Sequence, residues 1–110
     1  MLAARQTYVD AVLARYRAAP GTVGHVRKAD VRLARELHDS GVRLDVVDDA
    51  ITVVLCRRLL RSAPPAEPIR SLHYFVPVID ELLSGGLDRG YVEYLRGCLA
   101  RHLTRPASSR

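Results

Sequence analysis

The stretch Val46–Leu60, VVDDAITVVLCRRLL, constrains this chain more than any other, because wound into a helix it leaves only a narrow polar arc. At about 100° per residue, Val46, Val47, Ala50, Ile51, Val53, Val54, Leu55, Leu59 and Leu60 cover most of the circumference. Asp48, Asp49, Thr52 and Cys56 share the strip that remains. A helix this apolar on nearly every side belongs in a core. The other segments are therefore expected to pack around it.

The chain is long enough for that. With 110 residues, roughly two-thirds of the unfolded surface can be buried without a metal or disulfide staple. A single domain over residues 1–103 is expected, with 104–110 as a frayed tail.

From Leu2 to Ala19, Leu2, Val9, Val12, Leu13 and Tyr16 form one stripe of an amphipathic helix, which Pro20-Gly21 stops. A second helix is predicted over Lys28–Asp39, burying Ala29, Leu33 and Leu37 and turning Lys28, Arg32 and Arg35 outward, before Ser40-Gly41 ends it. That basic row could contact phosphate. Arg32–Glu36 and Arg35–Asp39 are also i,i+4 pairs that make an ordinary solvated face.

Asp45 suits the N-cap of the central helix, about 45–61, and Asp48 and Asp49 suit the positive end of its dipole. Arg57, Arg58 and Arg61 continue the face that Val47, Ala50, Ile51 and Val54 bury one to two turns earlier, so the helix should leave the core there with its arginine stems still covering apolar neighbours. Residues 62–68, SAPPAEP, read as a stiff proline linker inside the domain, leading through Ile69-Arg70 to Ser71. Ser71 can cap a helix through Ser84 that Pro77 should kink, and Asp88 can cap a last helix, Arg89–Leu103, with the stripe Val92, Leu95, Leu99 and Leu103. The expected fold is all-α: a compact bundle of about five helices around the buried central one.

No residue pattern argues for an enzyme. His25, His38, His73 and His102 show no ligand spacing with one another or with a cysteine, and Gly85-Gly86 is too short to cradle a phosphate. No metal and no cofactor are expected. Cys56 and Cys98 read as small core or near-core thiols of a reduced, cytoplasmic protein. No window approaches the ~18 apolar residues of a membrane span, and the first residues lack an apolar run of signal-peptide length.

The charge points elsewhere. Seventeen basic residues, all arginine except Lys28, face twelve carboxylates for a formal net charge of +5. Arginine's planar fork suits phosphate, although a GC-rich genome produces the same arginine bias. A helix-turn-helix made of Lys28–Asp39 and the following helix has the right outline but the wrong chemistry. A recognition helix sets polar side chains from its first turns against base edges, whereas here Asp45, Asp48 and Asp49 stand in those turns. Any nucleic-acid contact should come instead from Arg57, Arg58 and Arg61, from Arg70, and from the Lys28, Arg32 and Arg35 row.

The run GVRLDVVDDAI (Gly41–Ile51) followed by SLHYFVPVIDELL (Ser71–Leu83) resembles, in order and spacing, the DnaD-like helical module of bacterial and phage replication initiators. The shared pattern is a glycine-led turn, an acidic helix with a paired Ala-Ile, and a tyrosine-containing helix ending in hydrophobic residues. The family's closing aromatic residue is replaced by Leu82-Leu83. The same stretches are similar to small helical proteins of bacterial mobile elements. The resemblance implies a role in DNA transactions, with DNA preferred to RNA; joined to the arginine placement, it leads to the expectation of an accessory DNA-binding protein of a replication or mobile-element system that holds the phosphate backbone through arginines. The alternative is a protein-interaction module, a homodimer or a small subunit of a larger nucleoprotein complex, using apolar surface that a domain this small leaves uncovered.

Overall fold

In the computed structural model, residues 2–61 and 67–104 are described, with backbone only for Leu2, Leu103 and Thr104. Five α-helices account for most of them: α1 (Leu2–Ala18), α2 (Lys28–Asp39), α3 (Leu44–Leu59), α4 (Val76–Leu83) and α5 (Arg89–Thr104), with a 3-10 turn at Leu72–Phe75 before α4. Among the described residues there is no strand, only an isolated parallel bridge between Thr22 and Ile69. The five-helix, all-α expectation holds.

The central helix is where the sequence puts it. α1, α4, α5 and the 3-10 turn all pack on α3, and every residue from Asp49 to Cys56 is buried. Around it stand Val9, Val12 and Tyr16 of α1, Leu33 and Leu37 of α2, Leu72 and Phe75 of the 3-10 turn, Ile79 of α4, and Val92 and Leu95 of α5, in one continuous core. Tyr16 meets Phe75 edge to face, ring centroids 6.2 Å apart.

Several local expectations are corrected. The N-cap position of α3 is Arg43, in extended conformation, and Asp45 lies inside the helix. Its carboxylate is held by Arg43, 3.3 Å away, and by Arg89 of α5 at 3.7 Å. The polar strip of α3 is an inner face, because Asp49, Thr52 and Cys56 are covered by α5. Arg96 of α5 donates to both Asp49 and Thr52 Oγ1, and the Cys56 thiol donates to the Leu95 carbonyl at 3.3 Å. The last turn of α3 is the part left open, with Leu59 39% and Leu60 76% exposed.

On α2 the buried residues are Asp30, Leu33, Ala34 and Leu37, and Ala29 is exposed. The stripe is rotated by one position because Asp30 is satisfied inside the fold. Its Oδ2 accepts from the Arg27 amide at 2.9 Å, and its Oδ1 accepts from the Leu72 amide at 2.9 Å and the Ser71 hydroxyl at 3.3 Å. The predicted Arg35–Asp39 pair gives way to one with Arg5 of α1, 2.5 Å from Asp39. Pro77 kinks nothing. It sits in the first turn of α4, where a missing N–H costs no ladder bond, and the chain before it tightens into the 3-10 turn capped by Ser71, whose Oγ accepts from the His73 amide.

The bridge between Thr22 and Ile69 fastens the loop after α1 to the approach to the 3-10 turn. The Ile69 amide donates to the Gly21 carbonyl at 2.7 Å and the Val23 amide to the Ile69 carbonyl at 3.0 Å. Gly21, at φ +90°, makes the left-handed turn that presents this carbonyl. Of the proline linker, residues 62–66 lie outside the described residues, as do residues 105–110 of the expected tail.

Candidate nucleic-acid interface

At the C-terminal end of α3 the three predicted arginines are brought together, each in a different setting. Arg57 makes a two-pronged pair with Glu81 of α4, at 3.0 and 3.3 Å. The Glu81 carboxylate, through those hydrogen bonds, raises the Arg57 pKa, and Arg57 in turn holds Glu81 below the usual carboxylate range. Its charge is thus answered within the fold.

Arg58 is held without being neutralised. Its guanidinium lies 5.5 Å from the centroid of the Tyr74 ring, one nitrogen donates to the Tyr74 hydroxyl at 3.0 Å and the other to the Glu67 carbonyl at 2.9 Å. The same group passes 3.8 Å from where a side chain on Gly21 would begin, so the tight turn leaves it room. A cation over an aromatic face keeps its charge and loses side-chain freedom. Arg61, beyond the last turn, is exposed and pairs with no carboxylate among the described residues. Together with Val54, Tyr74 and Val78 the three arginines enclose a recess of about 180 Å³.

Arg70 and the α2 row occupy a second position. The Ser71 hydroxyl and Leu72 amide are both bonded to Asp30, which sets exposed Arg70 beside the start of α2, where Lys28 is exposed as well. Arg32 and Arg35 are exposed further along α2, without a carboxylate partner among the described residues. The segment Glu67–Tyr74 joins the two positions, since it carries the Glu67 carbonyl and Tyr74 ring under Arg58 at one end and the Asp30 contacts at the other. Tyr74, Glu81 and the Glu67 carbonyl are absent from the predicted set. The only signal for Tyr74 in the sequence is its place in SLHYFVPVIDELL, a polar-tipped aromatic beside an apolar run.

An apolar groove lies on the other side of the same helix end. Leu59, Leu60, Tyr94, Cys98, Leu99 and His102 line a volume of about 170 Å³ between α3 and α5, and Tyr94 is 63% exposed. No group of three or more metal-ligating side chains stands close enough to hold an ion among the described residues. No helix among them is long and apolar enough to cross a membrane. Comparison with protein-family models, with curated proteins and with solved structures finds no match.

Proposed function

We propose that the protein is a small accessory nucleic-acid-binding protein, of the kind that serves replication or mobile-element systems, and that it grips the phosphate backbone through arginines at the end of α3. The observation that carries this reading is Arg58. A guanidinium anchored by an aromatic ring, a phenol and a carbonyl, with no carboxylate on it among the described residues, is a preorganised cation with its charge directed to a partner. Arg61 beside it adds an unneutralised charge, and Arg70 with Lys28, Arg32 and Arg35 extends the basic surface. The DnaD-like pattern of Gly41–Ile51 and Ser71–Leu83 supports DNA as that partner, and the arrangement favours backbone contact with little sequence selection.

Binding of mixed-sequence DNA, measured across a salt series, tests the proposal. The affinity should fall with salt by a log–log slope of about −0.9 per phosphate neutralised on duplex. Arg58→Gln with Arg61→Gln should weaken every sequence alike and flatten the slope by up to about 2 units. Arg61→Gln alone should cost more than Arg17→Gln, an exposed arginine of α1 that removes the same charge elsewhere. Equal losses would reduce the effect to diffuse attraction, and no binding at about 50 mM salt would sink the reading.

A second reading rests on the groove between α3 and α5. Leu60 and Tyr94 are large, exposed and adjacent to it, which suits an interface with a second copy or a larger subunit. Light scattering over a dilution series decides: a dimer whose melting temperature falls on dilution supports it, and a monomer at every concentration removes it.

A further inference from the structure

The recess beside Arg58 has a feature that phosphate binding alone leaves unexplained. Its floor is apolar, made by Val54 and Val78, each only 5% exposed, with Tyr74 forming a wall. A row of duplex phosphates is met by cations on a ridge and gains nothing from a hollow behind them. A hollow of about 180 Å³ with a hydrocarbon base and guanidinium groups on its rim suits a ligand that is a flat, weakly polar ring joined to an anion. Stacking and backbone charge are the two terms by which unpaired nucleic acid is held. In a duplex the bases are stacked and paired, and turning one into such a hollow costs unstacking and unpairing energy that an unpaired strand avoids.

We propose that this recess takes one unpaired nucleotide, its base against Val54, Val78 and the edge of Tyr74 and its phosphate on Arg58 and Arg61. The inference rests on the phosphate-binding reading and adds a strand preference to it. Arg57, tied back by Glu81, bounds the hollow on the α4 side, while Arg61, exposed and unpaired among the described residues, is the one free to close on the phosphate.

The test compares three fluorescent probes at one salt concentration: a short mixed-sequence single strand, its duplex, and the same single strand made abasic throughout. The single strand should bind about tenfold more tightly than either of the others, the order of one stacked base. A single strand carrying 4-thiothymidine should cross-link on irradiation to the peptide containing Tyr74. Arg61→Gln should weaken all three probes, whereas Val78→Thr, which keeps the shape but wets the floor, should lower only the single-strand preference. Equal affinity for the abasic and normal strands, or cross-links confined to α2, would overturn the nucleotide pocket while leaving phosphate binding standing. Failure of all three probes to bind would overturn both.

Discussion

Arg96 of α5 reaches across to Asp49 of α3 and, with its second terminal nitrogen, to Thr52 one turn further on. This contact turns the polar strip of the central helix into an inner face. The Asp49 side chain is only 8% exposed, and Arg89 stands 3.8 Å from its other oxygen. Burial first, with the nearby charges of Asp45 and Glu93, raises the Asp49 carboxyl above its ordinary value against the pull of Arg96 and Arg89.

Replacing Arg96 by methionine should destabilise the fold by about 1–3 kcal/mol at neutral pH, less than a fully buried pair loses because Arg96 is itself 40% exposed. The loss should depend on pH in a definite direction. A carboxyl whose folded pKa lies above its unfolded one binds more protons in the native state between the two values, so stability falls as pH rises through that window. Without Arg96 the folded value rises further. Urea melts at pH 4 and pH 7 should show the deficit of the variant shrinking toward the acid side, and a deficit independent of pH would mean that Asp49 is solvated.

Asp30 should matter more than its position in α2 suggests. Asp30→Ala strips the Arg27 and Leu72 amides of their acceptor, and an unsatisfied buried amide costs about 1–3 kcal/mol. Chemical denaturation should show a loss of roughly 2–4 kcal/mol with helix content kept at low denaturant, and Asp30→Asn, which preserves one acceptor oxygen, should fall between. An unchanged midpoint for Asp30→Ala would rule out this cap.

Tyr16 offers the opposite case. Its ring is fully buried and its hydroxyl finds no hydrogen-bond partner among the described residues. Tyr16→Phe removes a desolvated polar group without opening a cavity, so the melting temperature should stay or rise, by the equivalent of up to about 1 kcal/mol. A marked drop would reveal a bond to the hydroxyl.

The two thiols should separate kinetically. Cys56 is buried, and burial pushes its thiol pKa up, whereas Cys98 is part-exposed with the Arg101 guanidinium 3.4 Å from its sulfur. In native buffer one equivalent of a thiol reagent should react quickly and map to Cys98, with Cys56 following only on unfolding. Two equal fast phases would show that α5 does not cover Cys56.

The legible and illegible parts divide by range. The apolar circumference of Val46–Leu55, the Pro20-Gly21 stop, the bounds of α2 and the Asp88 cap, whose carboxylate accepts from the Tyr91 amide at 3.1 Å, are statements about neighbours in sequence. The burial of Asp30 and Asp49 is not such a statement, because a carboxylate belongs in water until a partner is known, and their partners come from Leu72 and Arg96, far along the chain. The site divides the same way. Spacing alone gathered Arg57, Arg58 and Arg61, but that Glu81 quiets the first and Tyr74 seats the second depends on how α4 and the 3-10 turn settle on α3.

The bridge between Thr22 and Ile69 also sets an order of events. Arg58 acquires its ring from Tyr74, its acceptor from Glu67 and its clearance from Gly21, so its fixed pose exists only after the loop behind α1 and the segment entering the 3-10 turn have closed on each other. A chain emerging from the ribosome exposes Arg57, Arg58 and Arg61 before any of these supports has been made. During that interval its arginines are loose charges on an unfinished helix, and the fixed pose of Arg58 is a property that arrives late, with the second half of the polypeptide.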